Sequence, residues 1–332
     1  MTAVVVYGAT GHTGRFVVAE LAERGFTPIP AGRRSAGRSS AGRRSVRDGM
    51  RTASVDDPTA LDRALDGAAA VVNTAGPFAL TAGPVIEAAL RAGIPYVDVA
   101  AEIEANASTF ADYAQAATPI VPAMAFYGGL GDLLVTAALG EGRRADAVQV
   151  AYGLSSWHPT AGTRVAGQVS HARRGGRRVR FRNGALEYHD DQPTQLDWKF
   201  PEPLGEQPVI AEFSMADVVT VPSHVDVPDV RSYMTAVAAG DLADPDTPAP
   251  EPGGDADQAF VVDVRVRVDG VERRAIARGR DIYAVTAPLA VEAVRRLVAG
   301  ETRATGVASA GAMFDAADFL HALAPHITVE LP

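Results

Sequence analysis

An apolar, β-branched run, Val4-Val5-Val6-Tyr7, stops at Gly8, and Gly11 and Gly14 follow at three-residue spacing. From Phe16 the pattern turns helical, with Val17, Ala19 and Leu21. Strand, tight turn, helix is the context in which three glycines at this spacing mark a dinucleotide site. The first glycine lets the chain turn sharply, the second lets backbone approach a pyrophosphate, and the third lets the helix pack close to the strand. Thr10, His12 and Thr13 stand between and beside them. The start of the helix adds unsatisfied N–H groups and a positive dipole end for phosphate. The other reading is a glycine-rich turn in an α/β domain that holds no nucleotide.

The chain has 332 residues, enough for two domains and a sizeable core. It contains no cysteine, so thiolate nucleophiles, disulfides and cysteine–zinc sites are excluded. A reducing compartment fits that usage, and with no visible secretory signal a cytoplasmic location is expected. No apolar run reaches the roughly 18 residues of a membrane helix, so no membrane association is expected. A net charge of −9 argues against a general nucleic-acid binder. The histidines show no paired spacing of metal ligands, and no metal is expected. Lys199 is the sole lysine. The fourth residue after each tyrosine is therefore never lysine, and the Tyr-x-x-x-Lys pair of many nicotinamide reductases is absent.

In chain order, Phe26 to Ala31 reads as a second strand, ending at Gly32-Arg33-Arg34. The end of this strand meets the adenosine ribose in a dinucleotide fold. An acid there selects NAD, whereas arginine accommodates the 2′-phosphate of NADP. Arg33 and Arg34 with no acid predict NADP(H); a solvated basic loop is the alternative. Ser35-Ala36-Gly37-Arg38 recurs as Ser40-Ala41-Gly42-Arg43, a short basic duplication. Ala53 to Asp56 reads as a third strand, with Asp56 beside the adenine. Ala68 to Asn73 is a nearly continuous apolar run, as a buried parallel strand should be. The stretch Thr74-Ala75-Gly76-Pro77-Phe78 at its end faces the ligand crevice of an open α/β sheet and is assigned to the ribose and nicotinamide end of the cofactor. Strand 94–99 ends near Asp98, which is placed as a ribose contact or as scaffold, with Glu102 beyond it. Alternating strands and helices over this half predict a doubly wound parallel sheet.

Several segments together resemble the saccharopine dehydrogenase-like reductases: Gly-Ala-Thr-Gly-x-Thr-Gly at 8–14, Ala-Gly-Arg at 31–33, Val-Asn-Thr-Ala-Gly-Pro-Phe at 72–78, and Gly-x-x-Tyr-x-Asp at 93–98 followed by Glu102. Most similar is the compact branch that includes trans-acting enoyl reductases. The match weakens at 126–133, where Tyr127 and Gly128 replace the usual pattern while Asp132 fits. The resemblance implies hydride transfer at a C=N or C–N centre, with an activated C=C bond as second choice. It also implies a C-terminal segment that returns to the nucleotide domain.

The second half alternates as strands. Asn183-Gly184 and Asp269-Gly270 each predict a hairpin. A helix is expected at about 163–174, another from Pro228, an amphipathic one at 283–298 and a last one near 315–323. Residues 244–257 read as an exposed acidic loop. The expected whole is an α/β protein: a Rossmann domain at 1–125, an α+β substrate and dimerisation domain of mixed sheet at 126–300, and a segment at 301–332 returning to the first. A homodimer is expected from the second sheet.

Tyr127 and His158 are the candidate proton donors, because each lies in a loop that should face the nicotinamide. A structural loop histidine is the plain alternative for His158. The arginines between 173 and 182 either meet an acidic substrate or form a charged helix end and hairpin. The functional expectation is an NADPH-dependent reductase of a small organic molecule. Two alternatives are a non-catalytic NADP(H) sensor or partner-binding module, and an enoyl reductase working on a carrier protein's bound intermediate.

Overall fold

The computed structural model describes residues 2–33, 49–254 and 257–332. Arg34 and the basic duplication lie outside the described residues. The first domain runs β1 (Ala3–Tyr7), α1 (His12–Glu23), β2 (Thr27–Gly32), β3 (Arg51–Thr52), α2 (Pro58–Leu65), β4 (Ala70–Asn73), α3 (Phe78–Ala92), β5 (Tyr96–Asp98), α4 (Ile103–Asp112) and β6 (Ile120–Val121). Its sheet has the order β3-β2-β1-β4-β5-β6, with every pair parallel. That is the doubly wound order, whose chain reversal lies between β1 and β4. The apolar runs explain the placement. Val4, Val5 and Val6 are fully buried, as are Ala70, Val71 and Val72 beside them, because helices cover both faces. Local signals set the helix ends. Asp57 accepts the Ala60 N–H at the start of α2, and Gly93 closes α3 at φ +66°. The third strand is not where it was expected: Arg51–Thr52 pairs with β2, and residues 53–56, read as the strand, form a loop after it.

The chain then continues through α5 (Gly131–Leu139), β7 (Ala147–Leu154), α6 (Ala161–Arg173), β8 (Arg178–Arg182), β9 (Ala185–His189), β10 (Gln195–Lys199), β11 (Glu206–Ala211), α7 (Asp217–Thr220), β12 (Val230–Thr235), α8 (Ala236–Ala243), β13 (Ala259–Val268) and β14 (Val271–Arg280). It ends in α9 (Thr286–Ala299), α10 (Ala310–Met313), α11 (Ala316–Ala322) and β15 (Ile327–Glu330). The second sheet has the order β10-β11-β12-β7-β13-β14-β15 and is mixed, since β12 and β7 are parallel and its other neighbours antiparallel. Both hairpins form at the predicted dipeptides. Asn183 and Gly184 hold φ +52° and +75°, Asp269 and Gly270 +50° and +78°, the left-handed pair that a two-residue turn requires.

Three expectations need correction. The helix expected from Pro228 is a strand: residues 230–235 pair with β7 and β11, and the helix starts only at Ala236. Val230-Arg231-Ser232-Tyr233-Met234-Thr235 is too short and too mixed in polarity to show a period of its own, and pairing with β7 and β11 decides it. The amphipathic helix near 283–298, assigned to the second domain, is α9, and it packs on α1 and over β4 and β5 of the first sheet. Arg24 of α1 holds it through Glu292 at 2.7 Å. The boundary at 300 therefore falls after a helix of the nucleotide domain. The C-terminal segment returns only in passing. Val307 bridges Ile120 beside β6, whereas β15 pairs with β14 in the second sheet. Amphipathicity shows that a helix has an apolar face, not which sheet will cover it.

Candidate active site

The carboxyl ends of β1, β2 and β4 come level, with Tyr7 between Ala31 and Asn73. The three glycines take different parts. Gly8 holds φ +88°, and a Cβ there would stand 2.9 Å from the Cβ of Ala75. A Cβ on Gly14 would land on the Gly8 carbonyl and 2.8 Å from the Thr74 hydroxyl. These two pack the turn against β4. Gly11 is exposed, and its Cβ would meet only the Gly8 carbonyl oxygen, at 3.2 Å. It is the N-cap of α1 and offers no side-chain cap, and the first turn of α1 carries no acidic residue. An open backbone corner at a twelve-residue helix start fits a pyrophosphate.

Around this corner most of the proposed contacts are scaffold at the sheet ends. The Thr74 hydroxyl donates to the Tyr7 carbonyl at 3.0 Å, and the Ala75 N–H donates to the Asn73 side chain. The Gly76–Pro77 peptide is cis, and Phe78 starts α3. The Thr10 carbonyl accepts from Arg15, and Thr13 sits half-buried in the first turn of α1. Arg33 is exposed just beyond β2, in the electrostatic reach of the Tyr7 hydroxyl together with Asp56. Asp56 itself accepts the Ser54 hydroxyl at 3.3 Å.

Asp98 and Glu102 face inward. Asp98 is 1 % exposed; it accepts the Tyr96 hydroxyl at 2.9 Å and the N–H groups of Ala100 and Ala123. Burial pushes its carboxyl up to about 6 despite these donors. With all three partners inside the protein, Asp98 ties β5 to the segment that leads into Tyr127. Glu102 accepts the N–H groups of Phe78 and Ala79, so it caps α3 from outside that helix.

Tyr127 lies in a kink. Residues 126–130 form a short helical stretch broken by an extended Tyr127 (φ −87°, ψ 126°) and by Gly128 at φ +91°. The Tyr127 ring is buried among Phe126, Tyr152 and Trp157, with centroids at 4.8, 5.0 and 5.3 Å. Its hydroxyl is buried without a hydrogen-bond partner. Burial holds its pKa well above the usual tyrosine value, and the nearby Tyr283 and Asp217 add to this. His158 follows Trp157 in the loop before α6 and is half-buried.

Tyr283 went unnoticed in the sequence, where it reads as the first residue of a helix. Its hydroxyl accepts the Trp157 indole N–H at 3.1 Å and the Thr160 N–H at 3.2 Å, and lies 3.0 Å from the Thr163 hydroxyl. On its other side the ring meets His12 edge-on, centroids 5.1 Å apart. Burial lowers the His12 pKa, with Asp281 opposing and Arg15 assisting, and its Nε2 is buried without a partner. Tyr283 thus links the phosphate turn of the first domain to the Trp157–Thr163 loop of the second. Residues 12, 127, 157 and 283 are brought together by the tertiary fold alone, and no local motif announces the fourth. Three of the arginines near α6 are engaged elsewhere: Arg174 with Ser170 and Glu104, Arg178 with the Ala211 and Glu212 carbonyls, Arg180 with Glu187, Asp191 and Glu212.

Residues 4–122 match the model of the saccharopine dehydrogenase NADP binding domain. The N-terminal domain is similar to that family. Across its whole length the chain shares the fold of the apo saccharopine dehydrogenase (L-Glu forming) from Saccharomyces cerevisiae, with a TM-score of 0.64 at 10 % identity and 100 % of each chain covered. The N-terminal domain is thus similar to an NADP binding domain, and the chain as a whole shares the saccharopine dehydrogenase fold. Partial likenesses include a nucleoside-diphosphate-sugar epimerase from Pseudomonas aeruginosa (22 % identity, 29 % of this chain and 33 % of that one, TM-score 0.24). A short-chain dehydrogenase/reductase from Veillonella parvula gives 18 % identity, 31 % and 48 % coverage and a TM-score of 0.27. No curated protein sequence matches the chain. Among the described residues no helix is long and apolar enough to cross a membrane, and no group of three or more His, Asp or Glu side chains could hold a metal.

Proposed function

We propose that this protein is an oxidoreductase, an NADPH-dependent reductase of a small organic substrate acting at a C=N or C–N centre, with Tyr127 as its proton donor. The observation that carries the proton-donor reading is the Tyr127 hydroxyl. It is a buried donor with no internal partner, placed where the loop after the first domain meets the Trp157–Thr163 loop. Leaving a buried hydroxyl unsatisfied costs about 1–3 kcal/mol, which a substrate heteroatom would recover. The C–N preference is supported by the N-terminal family and by the name of the yeast protein that shares the fold.

When bound, NADPH supplies the hydride. The protein's own groups hold, shield and protonate. Gly11 and the open start of α1 would hold the pyrophosphate. Trp157 and Tyr127, both nearly fully buried, keep water from the reacting atoms. The Tyr127 hydroxyl then gives its proton to the substrate atom left with the electron pair. His158, in the same loop as Trp157, is the second candidate donor.

NADPH preference rests on Arg33. Exposed at the end of β2, with no acidic residue between Ala31 and Arg33, it suits a 2′-phosphate. Arg33→Ala should weaken NADPH binding by about 1.5–3 kcal/mol, the range of a hydrogen bond to a charged group, and leave NADH binding nearly unchanged. Fluorescence titration with both nucleotides checks this, and equal losses would remove the 2′-phosphate assignment.

Turnover is tested by NADPH consumption with imines, amino acids in the reverse direction, and enoyl thioesters. Tyr127→Phe and His158→Ala are compared with the parent at saturating NADPH. Loss of a general acid should lower kcat at least about tenfold. If neither variant does so, both assignments fall. Tight NADPH binding with no oxidation of the nucleotide by any substrate class would favour a sensor. Activity on thioesters only when a carrier protein presents them would move the reading to the enoyl reductases.

A further inference from the structure

We propose that Asp217 is a positioning residue of the hydride-transfer site, holding the Tyr127–Gly128 kink in place through Tyr152. The proposal rests on the reading of Tyr127 as proton donor. Asp217 opens α7 and is fully buried. Its carboxylate accepts the Tyr152 hydroxyl at 2.9 and 3.1 Å, and its own backbone N–H also donates to it. The Tyr152 oxygen in turn accepts the Gly128 N–H at 3.4 Å. Gly128 is the left-handed residue that turns the chain out of its helical path just after Tyr127. A three-part link therefore runs from Asp217 to the residue that aims Tyr127.

Missing side chains make the link possible. A Cβ on Gly131 would fall on the Asp217 carboxylate and 2.7 Å from the Tyr152 hydroxyl, and one on Gly128 would stand 2.9 Å from Ala216. The groups that face Asp217 come from every side. Tyr152 stands on β7, Tyr127 on the 126–130 stretch, and Asp132 on α5; Ile103 of α4 and Val179 of β8 close the apolar side around α7. Asp132 is itself held by His224 at 2.7 Å and by the Gly311 N–H. No cation among the described residues pairs with Asp217. An asparagine carries no charge to bury, but its amide N–H, like a protonated acid, can donate to the Tyr152 oxygen in place of Gly128 and so does not reproduce the hold of the ionised carboxylate. Burial, with Asp132 adding to it, brings this carboxyl up to about 7. Its charge therefore changes near neutrality. Ionised, it takes the Tyr152 hydroxyl as donor and leaves the Tyr152 oxygen to hold Gly128. Protonated, it competes as a donor for that oxygen.

Trp157 touches Tyr127, and Trp198 is the only other tryptophan, so 19F NMR of 5-fluorotryptophan-labelled full-length protein reads the kink without any substrate. Trp157→Phe assigns the two signals. The Trp157 signal should move with a midpoint near 7, and Asp217→Asn and Tyr152→Phe should each remove that step. A flat parent curve, or a step that survives Asp217→Asn, overturns the proposal. On any substrate that turns over, Asp217→Asn should lower kcat about tenfold or more with little change in KM, because the reacting group is misplaced and binding is intact. Unchanged kcat and pH profile in Asp217→Asn, with a slow Tyr127→Phe, would sink the positioning role alone. A fast Tyr127→Phe would sink the proton-donor reading instead, whatever Asp217→Asn does.

Discussion

Gly11→Val should abolish NADPH binding and leave the protein folded, whereas Gly14→Val should prevent folding of the turn itself. The difference follows from what each missing side chain leaves room for. Gly11 is exposed, and a Cβ there meets only the Gly8 carbonyl, so a side chain points into the space the pyrophosphate needs. The expected loss is at least about a hundredfold in affinity, close to 3 kcal/mol. Gly14 faces the Gly8 carbonyl, the Thr74 hydroxyl and, at 2.9 Å, the Ala9 Cα. Relief there requires backbone movement between β1 and α1, and the penalty appears as lost stability. Nucleotide titration by intrinsic fluorescence, paired with thermal unfolding, separates the two. A Gly11→Val protein that still binds NADPH normally would overturn the assignment of this turn to the cofactor.

Asp217→Asn should stabilise the protein at pH 8 and do little at acid pH. The sign follows from linkage. The folded carboxyl titrates at about 7, above its ordinary 3.8, because it is buried without a cation. The folded state thus holds its proton where the unfolded chain has released it, and stability falls as pH rises from near 4 to 7. Above that window the penalty is complete, on the order of 2–4 kcal/mol. Asparagine never ionises, so the variant gains that amount at pH 8, read as a melting temperature several degrees higher. A variant equally or less stable than the parent at pH 8 would show that the carboxylate is better solvated than its burial implies. A gain in stability joined to a loss of kcat is the pattern of a strained group kept for function.

Much of the first domain was legible because its signals are local. Val4–Val6 and Ala70–Val72 are apolar without interruption and bounded by turn residues, as strands buried on both faces are. Gly8, Gly11 and Gly14 sit within seven residues of one another, and Arg33 follows one strand later. The two hairpins were equally plain, since Asn183-Gly184 and Asp269-Gly270 carry their backbone angles in their residue types.

The remainder was settled only by the tertiary structure. Residues 230–235 became a strand because β7 and β11 offered open edges, and α9 joined the first domain because α1 and Arg24 meet it there. Glu102 caps a helix that begins 24 residues earlier in the chain. The sharpest case is the site. Tyr127, Tyr152, Trp157, Asp217 and Tyr283 come from five different segments, and the hydrogen bonds that join them span 65 residues for Tyr152–Asp217 and 126 for Trp157–Tyr283. Sequence by itself determined the dinucleotide turn, because a phosphate site is built from the backbone of one short segment. It could not determine the surroundings of Tyr127 and Asp217, because a buried hydroxyl or carboxyl takes its character from whatever distant chain removes its water.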